Sequence, residues 1–322
     1  MTSTSTVPID PLHAAARIRV RRFAGPRAHV GALDHIRVAH LTDLHVGRVT
    51  PMRVQHAAAE LTNAQCPDVV VITGDFVCHS QRYLQDLESV IRRFDAPVVC
   101  VLGNHDHWSG ANEVRGALRR AGAAVLDNAH TTLTVRHQQL QLVGLDDAYT
   151  GHADRARALH GLRRDLPTLG LSHIAEEADA LWPHGVPLVL SGHTHAGQVT
   201  VARLHELAIG KIAGHRYVHG LYGSRHDGVH EPAQASAQTS ARGAVYVGAG
   251  IGAAVMPLRV GERGMREVAI FELGHAPGAF VEPHAEQPAL AGRKPSALKQ
   301  WKRAAAVERL ERKRERGPVV AA

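Results

Sequence analysis

Apolar runs of four to six residues recur along the chain, each giving way to a Gly or an Asp: Ile36-Arg-Val-Ala-His-Leu41, Val69-Val-Val-Ile-Thr73, Val98-Val-Cys-Val-Leu102 and Pro187-Leu-Val-Leu190. Short runs with little polar alternation predict parallel strands covered on both faces. Between them, apolar residues near a period of about 3.6 predict helices over Arg53 to Asn63, Arg82 to Phe94, Asn112 to Ala121 and Ala175 to Trp182. Further strands are predicted near Thr132 to Val135, Gln139 to Val143, Ala244 to Gly248 and Glu267 to Glu272, completing a second sheet. Strands alternating with helices in this way predict an α/β protein.

The polar residues that end the runs carry the chemistry. They form the blocks Asp43-Leu-His45, Gly74-Asp75, Gly103-Asn-His-Asp106 and Gly192-His-Thr-His195. Loops that follow parallel strands gather at one edge of a sheet, where open α/β sheets bind ligands. Asp43 and His45, like His193 and His195, are two apart in segments expected to be extended, so each pair points to one side and can converge on an ion. Carboxylate, imidazole and Asn carbonyl form an N/O donor set that suits Mn²⁺, Fe or Zn²⁺. Six or seven such donors are too many for one open catalytic ion and about right for two, with a bridging carboxylate between ions roughly 3.5–4 Å apart.

The blocks resemble the metallophosphoesterase (calcineurin-like) superfamily pattern D-x-H, G-D, G-N-H-[ED], H, G-H-x-H, with His173 of Gly170-Leu-Ser-His173 filling the fourth position. Ala39-His-Leu-Thr-Asp-Leu-His-Val-Gly47, Val143-Gly-Leu-Asp-Asp147, Gly192-His-Thr-His-Ala-Gly-Gln198 and Tyr246-Val-Gly-Ala-Gly-Ile-Gly252 are similar to the bacterial YkuE- and YaeI-like branch. The resemblance implies a four-layer α/β/β/α sandwich of the metallophosphoesterase type. It implies one metal on Asp43, His45, Asp75 and His195, another on Asp75, Asn104, His173 and His193, and Asp75 as the bridge. His105 would protonate the leaving oxygen, Asp106 would accept the other ring N–H of His105, and a metal-bridging hydroxide would attack phosphorus. The chain departs from the pattern in His173-Ile-Ala, where relatives commonly carry His-x-Pro, and in Ala196, where many carry Gly.

The implied activity is a divalent-metal-dependent hydrolysis of a phosphodiester or pyrophosphate bond in a small-molecule or lipid-linked substrate. The alternatives are a cyclic-nucleotide phosphodiesterase, or a metal-holding scaffold whose tail binds RNA or membrane. Gly74-Asp75-Phe-Val-Cys78 lacks the Asp-Arg-Gly that protein Ser/Thr phosphatases carry there. His40, His79 and His107 flank the blocks without a motif role, and Asp146 and Asp147 read as a turn with Tyr149 and Gly151.

Donors spread from Asp43 to His195 require one domain, expected over residues 15–275, after a flexible 1–14. Residues 224–242, rich in Ala, Gln, Ser and His, read as a mobile inserted loop. The segment 276–322 is expected to be a basic tail. Ten Lys or Arg face three Glu from Ala291 onward, a net of +7 that equals the net charge of the whole chain. Charge confined to a tail, with 4% aromatic residues, argues against nucleic acid as partner. The tail reads as a solvated helix with pairs such as Glu308 and Arg312, or as a peripheral contact with anionic membrane through Leu298, Trp301 and Leu310. No signal-like or membrane-spanning apolar run is evident, and the three Cys at 66, 78 and 100 read as reduced thiols, so a cytoplasmic location is expected.

Overall fold

The computed structural model describes residues 17–78, 80–197, 214–226, 243–253, 259, 261–283, 286–290 and 305. The expected flexible 1–14, His79, the inserted loop beyond residue 226 and nearly all of 291–322 lie outside the described residues.

The strands are β1 (Ile18–Ala24), β2 (Ile36–Leu41), β3 (Val69–Thr73), β4 (Val98–Val101), β5 (Ala124–Val125), β6 (Ala129–Val135), β7 (Gln138–Gly144), β8 (Thr168–Leu171), β9 (Leu188–Ser191), β10 (Gly220–Gly223), β11 (Ala244–Val247) and β12 (Arg266–Leu273). The helices are α1 (Met52–Asn63), α2 (Leu84–Ile91), α3 (Asn104–Arg120), α4 (Arg155–Leu159) and α5 (Ala178–Leu181). One sheet runs β1-β12-β2-β3-β4-β5 and the other β10-β11-β9-β8-β7-β6. β2 to β5 are mutually parallel, as are β7, β8, β9 and β11.

Side chains alternate across each strand, and both faces of both sheets are covered. Val69, Val71, Val99 and Val101 of the first sheet meet Leu169, Leu171, Leu188 and Leu190 of the second in the central layer. Val70, Ile72, Val98 and Cys100 face α1 to α3, packing on Ala58, Leu87, Val90, Val114 and Leu118. Val143, Val189, Val245 and Val247 face α4 and α5 on the far side, with Ala158, Ala178 and Leu181. The result is the expected α/β/β/α sandwich.

Two expectations are corrected. Glu267 to Glu272 was expected in the second sheet, but β12 lies in the first, between β1 and β2. The Pro187 to Leu190 run was grouped with the strands of the first sheet, but β9 pairs with β8 and β11 in the second. Both sheets are buried on both faces, so their strands share one hydropathy signature and the run carries no sheet membership. The candidate loops therefore issue from the edges of two facing sheets. The helix expected from Asn112 begins instead at Asn104, directly on the Gly103 block, and continues through a break at Gly110, whose φ is 115°. Beyond β12 the chain stays on the body: Arg225 pairs with Glu282 and Glu286, and the Leu221 carbonyl accepts the Gln287 N–H at 2.9 Å. Among the described residues no helix is long and apolar enough to cross a membrane.

One buried charge joins the layers. Glu267 of β12 receives Arg21 of β1 at 2.6 Å and faces His219 Nε2 at 3.2 Å. It also accepts the Tyr246 hydroxyl and the Ala249 N–H, each at 2.8 Å. Burial pushes its carboxyl up, but His219, Arg21 and the Ala249 N–H outweigh it and hold the group well below the unfolded value of 4.5. A depressed carboxylate stabilises the fold above its unfolded pKa and loses that contribution as pH falls below it. Glu267→Gln leaves Arg21 buried without its counter-charge and should cost about 3–5 kcal/mol at pH 7, read from the urea midpoint. Its stability should also fall less steeply than wild type as pH drops below 4.5.

Candidate metal centre

The loops after β2 and β3 run side by side: the Asp43 N–H donates to the Gly74 carbonyl at 3.0 Å and the His45 N–H to the Asp75 carbonyl at 2.9 Å. Asp43 and His45, like His193 and His195, are not on the extended backbone expected of them: with Asp75 they take left-handed backbone, φ of 51°, 44°, 75°, 51° and 57°, and it is this twist that turns the donors into one space. Such conformations cost a non-Gly residue about 1–3 kcal/mol and persist where the surroundings enforce them. At Gly74 a Cβ would lie 2.7 Å from both Gly103 N and His173 Nδ1, so the loop after β3 can approach its neighbours only through glycine. The Tyr246 to Gly252 block, quoted in sequence only for its likeness, closes the site from behind. Ile251 N–H donates to the Thr42 carbonyl at 3.1 Å and Gly252 N–H to the Asp43 carbonyl at 2.7 Å.

Each buried carboxylate divides its oxygens. Asp43 Oδ2 accepts the Thr42 hydroxyl at 2.8 Å and the His193 N–H at 3.1 Å, while Oδ1 is buried with no hydrogen-bond partner. Asp75 Oδ1 accepts the His105 N–H at 2.9 Å, while Oδ2 faces His45 Nε2 at 3.5 Å and His173 Nε2 at 3.4 Å. His195 Nε2 lies 3.3 Å from Asp43 Oδ1 and 3.0 Å from His45 Nε2. Asn104 Oδ1 lies 3.2 Å from His173 Nε2. Among the described residues, donor atoms lie all within 4.8 Å of one another in Asp43, His45, Asp75 and His195, in Asp75, His173 and His193, and in a third set of His45, Cys78 and His105. Asp75 belongs to the first two.

The donors fit cations. Burial holds the His45 and His195 imidazoles down at about 3, so both are neutral at pH 7 with their Nε2 atoms head to head. Burial also lowers His173, but Asp75, Asp43 and Asp147 raise it to about 10. The carboxylates thus draw positive charge to this point of the cluster, a demand that a divalent ion would meet. His173 Nδ1 sits 2.7 Å from the Thr73 carbonyl, which leaves Nε2 for the cluster.

Asp106 departs from its expected role. Its Oδ1 accepts the N–H groups of Phe76 and Val77 at 2.8 and 3.2 Å, and its Oδ2 accepts the Gly103 N–H at 2.9 Å, so backbone rather than the His105 ring occupies it. The contact from the third helical residue back to the N-cap N–H is half of a capping box. Asp106 therefore staples α3 to the Asp75 loop. Burial, then Asp75, pushes its carboxyl up to about 7. His105 Nε2 lies 4.0 Å from Asp75 Oδ2, at the open side of the cluster.

Of the flanking residues, His40 is buried against Thr73 Oγ1 at 2.8 Å, and His107 pairs with Asp146 at 2.8 Å. Asp147 Oδ2 accepts the Thr150 N–H and hydroxyl, each at 2.7 Å, which is the expected turn. Cys78, read only as a reduced thiol, has its donor atom within 4.8 Å of those of His45 and His105. Sequence carried no signal for that approach, since the loop turn that brings Cys78 back depends on Val46, whose carbonyl accepts the Cys78 N–H at 3.3 Å.

The profile of the calcineurin-like phosphoesterase family matches residues 36–197, the span that supplies every donor named above. The chain belongs to that family. Phosphodiesterase YaeI of Escherichia coli is 30% identical over 199 residues, covering 59% of this chain and 72% of its own. The metallophosphoesterase YkuE of Bacillus subtilis is 28% identical over 234 residues, covering 70% of this chain and 75% of its own. Among solved structures, a 5'-nucleotidase precursor from Thermus thermophilus aligns with a TM-score of 0.45 at 14% identity, over 88% of this chain and 59% of that one. This phosphoesterase is thus a metal-dependent hydrolase of phosphoesters, and His and Asp groups that could hold its ions are present.

Ligand linkage gives a check that does not need turnover. Mn²⁺ added to chelator-stripped phosphoesterase at about a hundred times its dissociation constant should stabilise the fold by about 3 kcal/mol. The rise in thermal midpoint should be clear in wild type and largely absent in Asp75→Asn, which weakens both donor sets.

Proposed function

We propose that this phosphoesterase cleaves a phosphodiester or pyrophosphate bond, with His105 as the general acid. Asp43, His45, Asp75 and His195 would hold one divalent ion, and Asp75, Asn104, His173 and His193 the other. Mn²⁺ is the first choice, and Fe or Zn²⁺ share the same N/O donors. Such a pair supplies charge neutralisation on the phosphoryl oxygens and a nucleophile at neutral pH.

The observation that carries the reading is the stance of His105. Its backbone N–H holds one oxygen of Asp75 while its ring nitrogen faces the other from 4.0 Å, outside the donor sets that share Asp75. A phosphate seated over Asp75 would present its leaving oxygen to His105 Nε2, which gives up a proton as the P–O bond breaks. The ring packs edge-on against His45 at 4.7 Å and against Trp108 at 4.8 Å, which limits its swing. The name of the Escherichia coli relative supports a diester over a monoester substrate.

With Mn²⁺ restored, the protein should hydrolyse bis-p-nitrophenyl phosphate, and Asp75→Asn should not; a wild type that binds metal yet releases no nitrophenolate would sink the reading. His105→Gln should lower kcat about 10²–10⁴-fold on a diester with a poor alkoxide leaving group and much less on a nitrophenyl ester, because nitrophenolate departs without a proton. Equal losses on both would mean that His105 does something other than donate a proton.

A further inference from the structure

Residues a turn apart on a helix share a face. On α3, the residue a turn after His105 is Trp108, and its ring meets His105 at 4.8 Å between centroids. Trp108 also meets Tyr149, at 6.1 Å and 80°. Tyr149 leans on His193 at 5.0 Å. An arc of rings therefore runs from the proposed acid to a candidate metal ligand, and its members stay partly exposed while neighbouring His107, Ser109 and Thr150 are buried.

Both large rings are set on firm supports. Trp108 lies in the first turns of α3, which Asp106 staples to the Asp75 loop. Tyr149 lies in the turn that Asp147 closes onto Thr150, and Asp146 of the same turn is anchored by His107 of α3 at 2.8 Å. The two elements are thereby tied to each other beneath the rings. Aromatic rings meeting edge to face form a corner, in which a planar group stacks on one ring and abuts the edge of the other. Rigid aromatic side chains left part-exposed beside a reacting centre are the side chains that anchor ligands.

We propose that Trp108 and Tyr149 form a binding corner for a planar ring carried by the phosphoester, and that nucleotide esters are accordingly the favoured substrate class. This rests on the phosphoester reading of the adjoining site, since the phosphate at Asp75 is what holds the ring against the corner. A base stacked on one aromatic side chain gains enough to shift affinity by about tenfold or more.

The test is calorimetric titration of the Mn²⁺-supplemented protein with AMP and with ribose 5-phosphate, which share the phosphate and sugar and differ in the base. Wild type should bind AMP at least about tenfold more tightly. Trp108→Ala should bring the ratio of the two affinities near unity, Tyr149→Ala should reduce it, and Trp108→Phe should keep most of it. Because each ratio is taken within one protein, a variant that loses metal or stability shifts both ligands together and leaves the ratio unmoved. Equal affinities in wild type, or a ratio that survives Trp108→Ala, would overturn the corner. Release of nitrophenolate from bis-p-nitrophenyl phosphate, measured on the same wild-type sample, reads the catalytic assignment separately: equal affinities with turnover sink only the corner, whereas a base-dependent ratio without turnover sinks the hydrolytic reading and leaves the corner standing.

Discussion

Two carboxylates buried side by side set the terms for this site. Burial raises the Asp43 carboxyl and would raise Asp75 too, were it not for His173, His105 and His45 around it. Two negative charges in a poorly polarisable interior require positive charge close by. Asp75, Asp43 and Asp147 hold the His173 imidazole up at about 10, which answers part of that need. Divalent ions meet it better, because the oxygens that face the cluster, Asp43 Oδ1 and Asp75 Oδ2, are not the ones spent on Thr42, His193 N–H and His105 N–H. Left-handed backbone at five of the donor residues is tolerated for the same reason: each twist aims a donor at that one volume.

The donors come from two sheets, so their convergence depends on how firmly the sheets are joined at that edge. Glu267 makes the joint. It binds Arg21 within the first sheet, and Tyr246, His219 and the Ala249 N–H on the side of the second. From Ala249 the chain passes directly to Ile251 and Gly252, whose N–H groups hold the carbonyls of Thr42 and Asp43. A charge in the core is thus connected, through a few residues of glycine-rich backbone, to the first donor of the cluster.

What was legible in the sequence was what local pattern encodes. The runs ending at Asp43, Asp75, Gly103 and Gly192 announced strands and donors together, because a strand buried on both faces is apolar until it reaches its functional end. Sheet membership was not legible, since β9 and β12 look alike to any hydropathy measure and are sorted by partners far away in sequence. β1 was not predicted for a related reason: Arg19, Arg21 and Arg22 interrupt its apolar pattern, and Arg21 is buried against Glu267. The start of α3 was hidden by Gly110, although Gly103-x-x-Asp106 held the capping signal that places it.

The reassignment of Asp106 changes how the proposed acid is kept in place. A carboxylate on the far ring nitrogen would have oriented His105 and raised its basicity in one contact. Here Asp106 is consumed by backbone, and the His105 ring is held between His45 and Trp108. Trp108 therefore touches the proposed proton donor and would touch the proposed ring of the substrate. On the proposed reading, recognition of the substrate ring and alignment of the acid would share one side chain, so a ligand pressing on the Trp108 corner would also steady the His105 ring. Binding energy gathered away from phosphorus would in this way be turned toward the bond that breaks.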